Sequence, residues 1–299
     1  MTLDQAILAT LAYHDIFDYP LTMGQIHRYL IGKKVSPKRL TAQRGRLKST
    51  AIIGEKKGYF FLKNRRKITQ TRLQRAKYSQ KKQKRADFFA NLLKVIPTLR
   101  LVAVSGALAM GNSRKNDDID LVIITAKNSL WTTRFLANLI LFPFKRKLPQ
   151  LPTTNYKLQT NNKACLNLFL DESDLKITPQ NLYTAHEICQ MRPLLDRNKT
   201  YSRFIKSNSW VKKYLPNWQL SFEFIDHRSK KSQLRTMNYP LRTVEIFLKK
   251  FQLWHMRRKI TTERIGEHQL FFHPSDTHRW VLAQYRKRLR KLGIEALDN

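Results

Sequence analysis

Residues 99–125 limit what this chain can fold into more than any other stretch. Two short apolar runs rich in β-branched residues, 101–104 and 121–124, lie on either side of a glycine turn and several polar residues. Short apolar runs bounded by Gly and Asn are typical of buried strands. The stretch therefore predicts two strands of an internal sheet, joined by a segment that contains Gly106.

A pair of carboxylates, Asp118 and Asp120, lies where the second of these strands is predicted to begin. Strand side chains alternate between faces, so both should point the same way, roughly 6–7 Å apart along the backbone. Two like charges this close raise each other's pKa unless a cation lies between them. Mg²⁺ binds one or two carboxylates together with substrate phosphates, which makes both aspartates candidate metal ligands. The alternative is a solvated turn, because Asp is common in turns before strands.

A candidate phosphate cradle precedes the carboxylates. Ser105, Gly106 and Ala107 follow the first strand directly and are predicted to open a helical turn. Backbone N–H groups at such a turn face an anion. In the loop before the acids, Arg114 and Lys115 are candidates to neutralise a triphosphate. A phosphate cradle opposite a carboxylate pair is typical of phosphoryl or nucleotidyl transfer.

The spacing of these residues resembles that of the nucleotidyltransferase superfamily, which includes DNA polymerase beta, aminoglycoside nucleotidyltransferases and the minimal nucleotidyltransferases of toxin–antitoxin pairs. The family carries Gly-Ser, ten residues and Asp-x-Asp. This chain has Gly106-Ala107, ten residues and Asp118-Ile119-Asp120. It departs from the pattern in having Ala107 in place of Ser, with Ser105 before the glycine. Where the family has a third carboxylate on a later strand, the predicted strand 165–170 offers Asn167, with Asp171 just beyond it.

The resemblance implies an α/β (α+β) core with a small mixed sheet over residues 84–195. It implies Mg²⁺ as cofactor, held by Asp118 and Asp120, and a nucleoside triphosphate, most naturally ATP, as substrate. Asn167 would complete the catalytic set. The reaction would move a nucleoside monophosphate to a hydroxyl on nucleic acid or on a protein. The alternative is a catalytically weak or inactive member that regulates by binding nucleic acid.

The charge balance points to a polyanionic partner. The chain has 57 Lys and Arg against 21 Asp and Glu, a net charge of +36. Such an excess favours nucleic acid, RNA or DNA, first and an anionic membrane surface second. There is no secretory signal and no apolar run of about 20 residues, so we expect a cytoplasmic protein without stable membrane insertion. The two cysteines provide no disulfide framework.

Residues 1–64 resemble a winged helix-turn-helix: three predicted helices followed by a hairpin. Thr22 with Gln25 forms a capping box, and Ser36-Pro37 is a helix start. A turn at 54–58 is predicted to join the hairpin strands. Residues 37–50 are the candidate recognition helix, whose predicted nucleic-acid contacts are Lys38, Arg39, Arg44 and Arg46. A winged helix that binds protein is the alternative.

Three further regions follow from composition and periodicity. Residues 65–83 read as a solvated, basic connecting helix, because 65–85 contain ten Lys or Arg and no acid. Residues 84–195 form the nucleotidyltransferase-like domain, with core helices predicted at 130–142 and 182–191. Residues 196–299 are predicted to be a mostly helical domain, with amphipathic helices at 241–258 and from 276 to Gly293.

Overall fold

A computed structural model of the chain describes residues 1–43, 45–46, 52–145, 162–220, 240–257, 263–272 and 276–295. The architecture is mixed α/β, with a mixed sheet between two layers of helices. The helices are α1 (Leu3–Asp15), α2 (Met23–Arg28), α3 (Pro37–Ala42), α4 (Ile68–Leu93), α5 (Gly106–Ala109), α6 (Leu130–Ile140), α7 (Leu182–Gln190), α8 (Thr200–Ser207), α9 (Pro240–Met256) and α10 (Asp276–Lys291). The strands are β1 (Ile53–Lys56), β2 (Tyr59–Leu62), β3 (Leu99–Val104), β4 (Ile119–Thr125), β5 (Ala164–Asp171), β6 (Arg192–Asp196), β7 (Arg264–Ile265) and β8 (Gln269–Phe271).

The N-terminal elements follow their local sequence signals. Thr22 and Gln25 make the predicted capping box of α2, and Ser36 caps α3 through the backbone N–H of Arg39. The hairpin turn is shorter than predicted: 54–56 belong to β1, and the turn consists of Lys57 and Gly58, both with positive φ. A two-residue turn of this kind matches the twist of the strands that it joins, which the predicted five-residue loop would not do as well.

A single helix, α4, spans most of the predicted connecting segment and the amphipathic segment after it. The prediction of a solvated helix at 65–83 is wrong for four of its residues, since Ile68, Thr69, Ser79 and Lys82 are buried. Lys82 is only 3% exposed. The run of basic residues gives no sign of this burial, because composition does not show which face of a helix packs against its neighbours.

The central sheet has the strand order β6-β3-β4-β5-β8-β7. Strand β4 is antiparallel to β3 and parallel to β5, so the sheet is mixed as predicted. Strands β6, β7 and β8 were not predicted from the sequence. Because β8 pairs with β5, the sheet extends across position 196, the predicted start of the helical C-terminal region.

Alternate residues of β4 enter two different hydrophobic cores. Val122 and Ile124 lie in the core on one face, together with residues of α1, α7, α8 and α10. Leu121 and Ile123 lie in the core on the other face, with residues of α4 and α6. Asp120 shares the parity of Val122, and its side chain therefore belongs to the face covered by α1 and α7.

Helix α1 contributes to two cores at once. Ile7 and Leu11 pack in a small core with α2, α3 and the hairpin. Ala12 and Tyr13 pack in the core of the sheet, where the ring of Tyr13 stacks on that of His186 with centroids 4.0 Å apart. The N-terminal elements are thereby joined to the sheet by a helix that supplies side chains to both cores. No helix in the described part of the chain is long and apolar enough to cross a membrane.

Candidate functional site

The turn after β3 brings Gly106 against Asp120. The Ser105 N–H donates to the Asp120 carbonyl oxygen at 3.1 Å, which fixes the end of β3 beside the start of β4. Gly106 has a φ of +59°, in the region that favours glycine. A Cβ at this position would lie 3.4 Å from Asp120 Oδ2. The glycine therefore leaves backbone, with no side chain, facing the carboxylate.

A bulge between β4 and β5 directs Asn167 to the same place. Asp120 pairs with Cys165 and Leu121 with Leu166, but Val122 pairs with Leu168, so Asn167 is the extra residue. A bulge changes the direction of a side chain without ending the strand. Here Asn167 lines a cavity together with Asp120.

This cavity has a volume of about 440 Å³ and lies between the sheet, α1 and α7. It brings together five residues predicted from the sequence: Ser105, Gly106, Ala107, Asp120 and Asn167. Much of the remaining wall is apolar or aromatic, from residues such as Phe17, Val122, Leu168, Ile188 and Phe271. One wall of the cavity thus carries the predicted phosphate turn and a carboxylate, and the rest is suited to a less polar group.

The other predicted site residues lie outside the lining of this cavity. Asp118 Oδ1 accepts a hydrogen bond from the backbone N–H of Lys163 at 3.1 Å, at the start of the neighbouring strand. The Arg114 N–H donates to Asp117 Oδ2 at 2.7 Å, and the side chains of Arg114 and Lys115 are exposed. Asp118 and Asp120 therefore have different surroundings, although they are only two residues apart: Asp120 lines the cavity and Asp118 does not.

A buried lysine lies beside the acidic residues. The Lys82 ammonium group donates a hydrogen bond to the Asp117 carbonyl oxygen. Burial lowers the pKa of Lys82, while the negative charges of Asp117, Asp118 and Asp120 act to raise it. The lysine neutralises part of the charge at this end of β4. Lys82 was not predicted, because nothing in this run of basic residues distinguishes it from its neighbours.

Two ionisable residues of α7, Tyr183 and Glu187, also line the cavity and were not predicted. The pKa of Tyr183 is raised well above its usual value, first by burial and then by the negative charges of Glu187 and Asp120. The carboxylates of Glu187 and Asp120 thus both contribute to the raised pKa of Tyr183. A signal existed in the sequence, because Glu187 is the single acidic residue within 182–190, but no motif pointed to it.

Asp171 is not available as a third carboxylate. It pairs with Thr125, the last residue of β4, whereas Asp120 pairs with Cys165 near the first. Its two oxygens accept hydrogen bonds from the backbone N–H groups of Asn128 at 2.7 Å and Ser173 at 2.8 Å. Asp171 therefore organises loops at the opposite end of the strand.

The donor set at the Gly106 turn is compatible with Mg²⁺. No group of three or more His, Cys, Asp or Glu side chains that could hold a metal ion occurs within the described ranges. Mg²⁺ does not require one, since it keeps several waters and takes further ligands from substrate phosphates. The Asp120 carboxylate and the Asn167 carbonyl oxygen supply hard oxygen donors on one cavity wall, with Asp118 two residues away.

The predicted nucleic-acid contacts are only partly described. Lys38 and Arg39 are exposed on α3. Arg46 is exposed, with Nη2 3.5 Å from Asp4 Oδ2. Arg44 lies outside the described residues, as do 47–50, which complete the candidate recognition helix.

Comparison with known proteins gives no family to which this site can be assigned: no family model, no curated protein and no solved structure matches the chain.

Proposed function

We propose that this protein is a Mg²⁺-dependent nucleotidyltransferase that moves a nucleoside monophosphate from a nucleoside triphosphate, most naturally ATP, to an acceptor hydroxyl. The observation that carries the proposal is the convergence of the Gly106 turn, Asp120 and Asn167 on one wall of a cavity. These are the residues that the spacing resembling the nucleotidyltransferase superfamily singles out. The proposal includes a winged helix in residues 1–64 that contacts nucleic acid.

The residues on this wall have separable roles in the proposal. The backbone N–H groups of Gly106 and Ala107 bind phosphate oxygens, the Ser105 N–H holds the turn against the Asp120 carbonyl oxygen, and the missing Cβ of Gly106 allows a close approach. Asp120 and Asn167, with Asp118 beside them, would hold Mg²⁺. When bound, the metal would neutralise negative charge on the phosphates and on the leaving pyrophosphate.

In the proposed reaction a carboxylate accepts the proton of the attacking hydroxyl. The side-chain amide of Asn167 offers a carbonyl oxygen to a cation but is not a base. Two carboxylates, Asp120 and Glu187, line the cavity and can accept the proton of the attacking hydroxyl. The aromatic and apolar remainder of the wall excludes water from the reacting groups.

The acceptor in the proposal is nucleic acid, RNA or DNA, because the net charge of +36 concentrates polyanions at the surface. A protein hydroxyl is the second choice. Exposed Lys38 and Arg39 on α3 are the proposed contacts on the N-terminal side.

Asp120→Asn tests the proposal. The variant removes the negative charge at the Gly106 turn and keeps the shape, so transfer of label from α-³²P-ATP to total RNA is expected to fall by about a hundredfold or more. Unfolding by urea should not change. Asp118→Asn is expected to lose transfer as well, whereas Asp174→Asn, outside the cavity lining, is the matched control and should keep it. Full Mg²⁺-dependent incorporation by Asp120→Asn would exclude the proposed site.

One observation favours a second candidate function, a regulator that binds nucleotide without turnover. Asn167 stands where the resemblance expects a third carboxylate, and Asp171 lies at the other end of β5. Such a protein would bind nucleotide and nucleic acid but release no pyrophosphate. Pyrophosphate release with ATP, Mg²⁺ and RNA therefore separates the two functions.

A further inference from the structure

An exposed apolar surface is formed by two neighbouring helices on the side of the sheet away from the cavity. Phe135 and Leu139 of α6, with Phe142 in the turn that follows, are spaced at i, i+4 and i+7. Phe247, Phe251 and Trp254 of α9 have the same spacing. Residues at this spacing lie on one face of a helix. The six residues together are called the apolar platform.

The platform is continuous across the two helices and open to solvent. The rings of Phe135 and Phe251 have centroids 6.5 Å apart, which joins the two stripes. Four of its side chains are more than 60% exposed: Leu139 63%, Phe142 78%, Phe247 66% and Trp254 73%. Contiguous exposed apolar surface on this scale marks an interaction site.

The orientation of α9 is fixed by its other face. Both oxygens of Glu245 accept hydrogen bonds from the start of α6, Oε1 from the Trp131 N–H at 2.7 Å and Oε2 from the Thr132 N–H at 2.8 Å. Gln252 is buried and donates from Nε2 to the Trp131 carbonyl oxygen at 2.9 Å. These contacts hold α9 on α6 and leave its aromatic stripe outward.

The charge around the platform has one sign. Lys250 and Arg257 are exposed on α9, on a stripe adjacent to the aromatic one, and Arg242 is exposed near the start of the same helix. Residues 130–145 and 240–257 contain one acidic residue, Glu245, and its carboxylate caps α6. The platform therefore presents aromatic and aliphatic side chains flanked by positive charge.

We propose that the apolar platform binds the surface of an anionic lipid membrane, with α9 lying in the plane of the interface. An aromatic stripe beside a basic stripe is the pattern of interfacial helices, which combine apolar burial with attraction to anionic headgroups. A second copy of this chain is a poorer occupant, because the basic stripes of both copies would face each other. Nucleic acid is also poorer, because Leu139 and the exposed Ile246 have no π face on which a base could stack.

Co-sedimentation of the 299-residue chain with vesicles tests the proposal. The probes are vesicles of phosphatidylglycerol and phosphatidylcholine in equal amounts, and vesicles of phosphatidylcholine alone. We expect binding to the anionic vesicles and weak binding to the neutral ones. The double variant Phe247→Ser and Trp254→Ser should weaken anionic-vesicle binding by about tenfold or more through lost apolar burial. Lys250→Glu should weaken it by several-fold, and more at low salt.

Trp280→Ser is the matched control, since Trp280 is 55% exposed on α10 and lies outside the platform. It should bind vesicles as the unmodified protein does. Binding that is unchanged in the Phe247 and Trp254 double variant would overturn the proposal, because simple charge attraction would then account for it. Loss of affinity for a single-stranded oligonucleotide in the double variant, with vesicle binding unchanged, would assign the platform to nucleic acid and also overturn it.

Discussion

At the scale of single residues, His14 shows how burial sets a charge state. Its ring is buried in α1, and Nδ1 lies 2.9 Å from the Thr10 carbonyl oxygen. Because a carbonyl only accepts, Nδ1 carries the proton of the neutral ring. Burial lowers the pKa of His14 to about 4, with a smaller contribution from the positive charge of Arg72. His186, 5.1 Å away between ring centroids, also has a pKa lowered by burial and by His14.

These histidines predict a loss of stability in acid. The unfolded chain binds a proton near the usual His pKa of about 6.5, whereas folded His14 does so only near pH 4. The unfolded state therefore holds more protons in this interval, and the free energy of unfolding falls as the pH drops from about 6.5 to about 4. For His14 alone the loss is about 3 kcal/mol when complete. His14→Phe should lose less over this interval, as measured by urea unfolding at several pH values. An unchanged slope would contradict the prediction.

Part of the candidate site was predictable at this scale. The spacing of Gly106 and Asp120 is local, and the turn and strand that it predicts are present. Asn167 was found because a short apolar run marks β5. Lys82 and Glu187 were not found, because each reaches the site from a helix whose orientation is set by tertiary packing. Spacing along the chain carries no information on that orientation.

At the scale of elements, predictions succeeded where the signal was contained in the element. The Thr22–Gln25 capping box marked the start of α2, Ser36 and Pro37 marked the start of α3, and Gly293, with a φ of +66°, follows the end of α10 as predicted. Strands β6, β7 and β8 lacked such signals: β6 contains Pro193, and β7 and β8 have two and three residues. Strand β6 pairs with β3 and β8 pairs with β5, both far away in the sequence, and β7 pairs with β8, so these strands are defined by the assembled sheet.

A contact between two helices takes the place of a local cap at the start of α6. Ser129 precedes α6 without a side-chain capping bond, and Glu245 of α9 accepts from two of the first N–H groups instead. Glu245→Ala should lower the free energy of unfolding by about 2 kcal/mol, since it removes both a helix cap and a charge at a helix N-terminus.

Glu245→Gln, which keeps one acceptor oxygen, should cost less than Glu245→Ala. Urea unfolding measures both, with Glu267→Ala as the control because Glu267 is exposed outside the regular elements. Equal stability of Glu245→Ala and the unmodified protein would show that the cap contributes nothing.

At the scale of the molecule, α1 couples the N-terminal core to the sheet. Every tryptophan of the chain lies at residue 131 or beyond, so tryptophan emission reports chiefly on the sheet and on the C-terminal elements, with Trp218 also in contact with Arg28 of α2. Ile26 is fully buried in the N-terminal core, away from the sheet. Ile26→Ala should lower stability by about 2–4 kcal/mol.

If α1 couples the two cores, the tryptophan-detected unfolding midpoint of Ile26→Ala will fall together with the midpoint measured by circular dichroism. A tryptophan transition that stays at its original midpoint would instead show two independent units. Val95→Ala, at a side chain that is 74% exposed, is the control and should move neither midpoint.

The buried ammonium group of Lys82 has a consequence for how the acidic end of β4 meets its ligands. A counter-ion that is covalently part of the chain is present at a high effective concentration, whatever the supply of free ions. The positive charge of Lys82 is therefore present near Asp118 and Asp120 before any divalent ion arrives. An incoming cation meets the repulsion of this charge, which reduces its apparent affinity for the two aspartates.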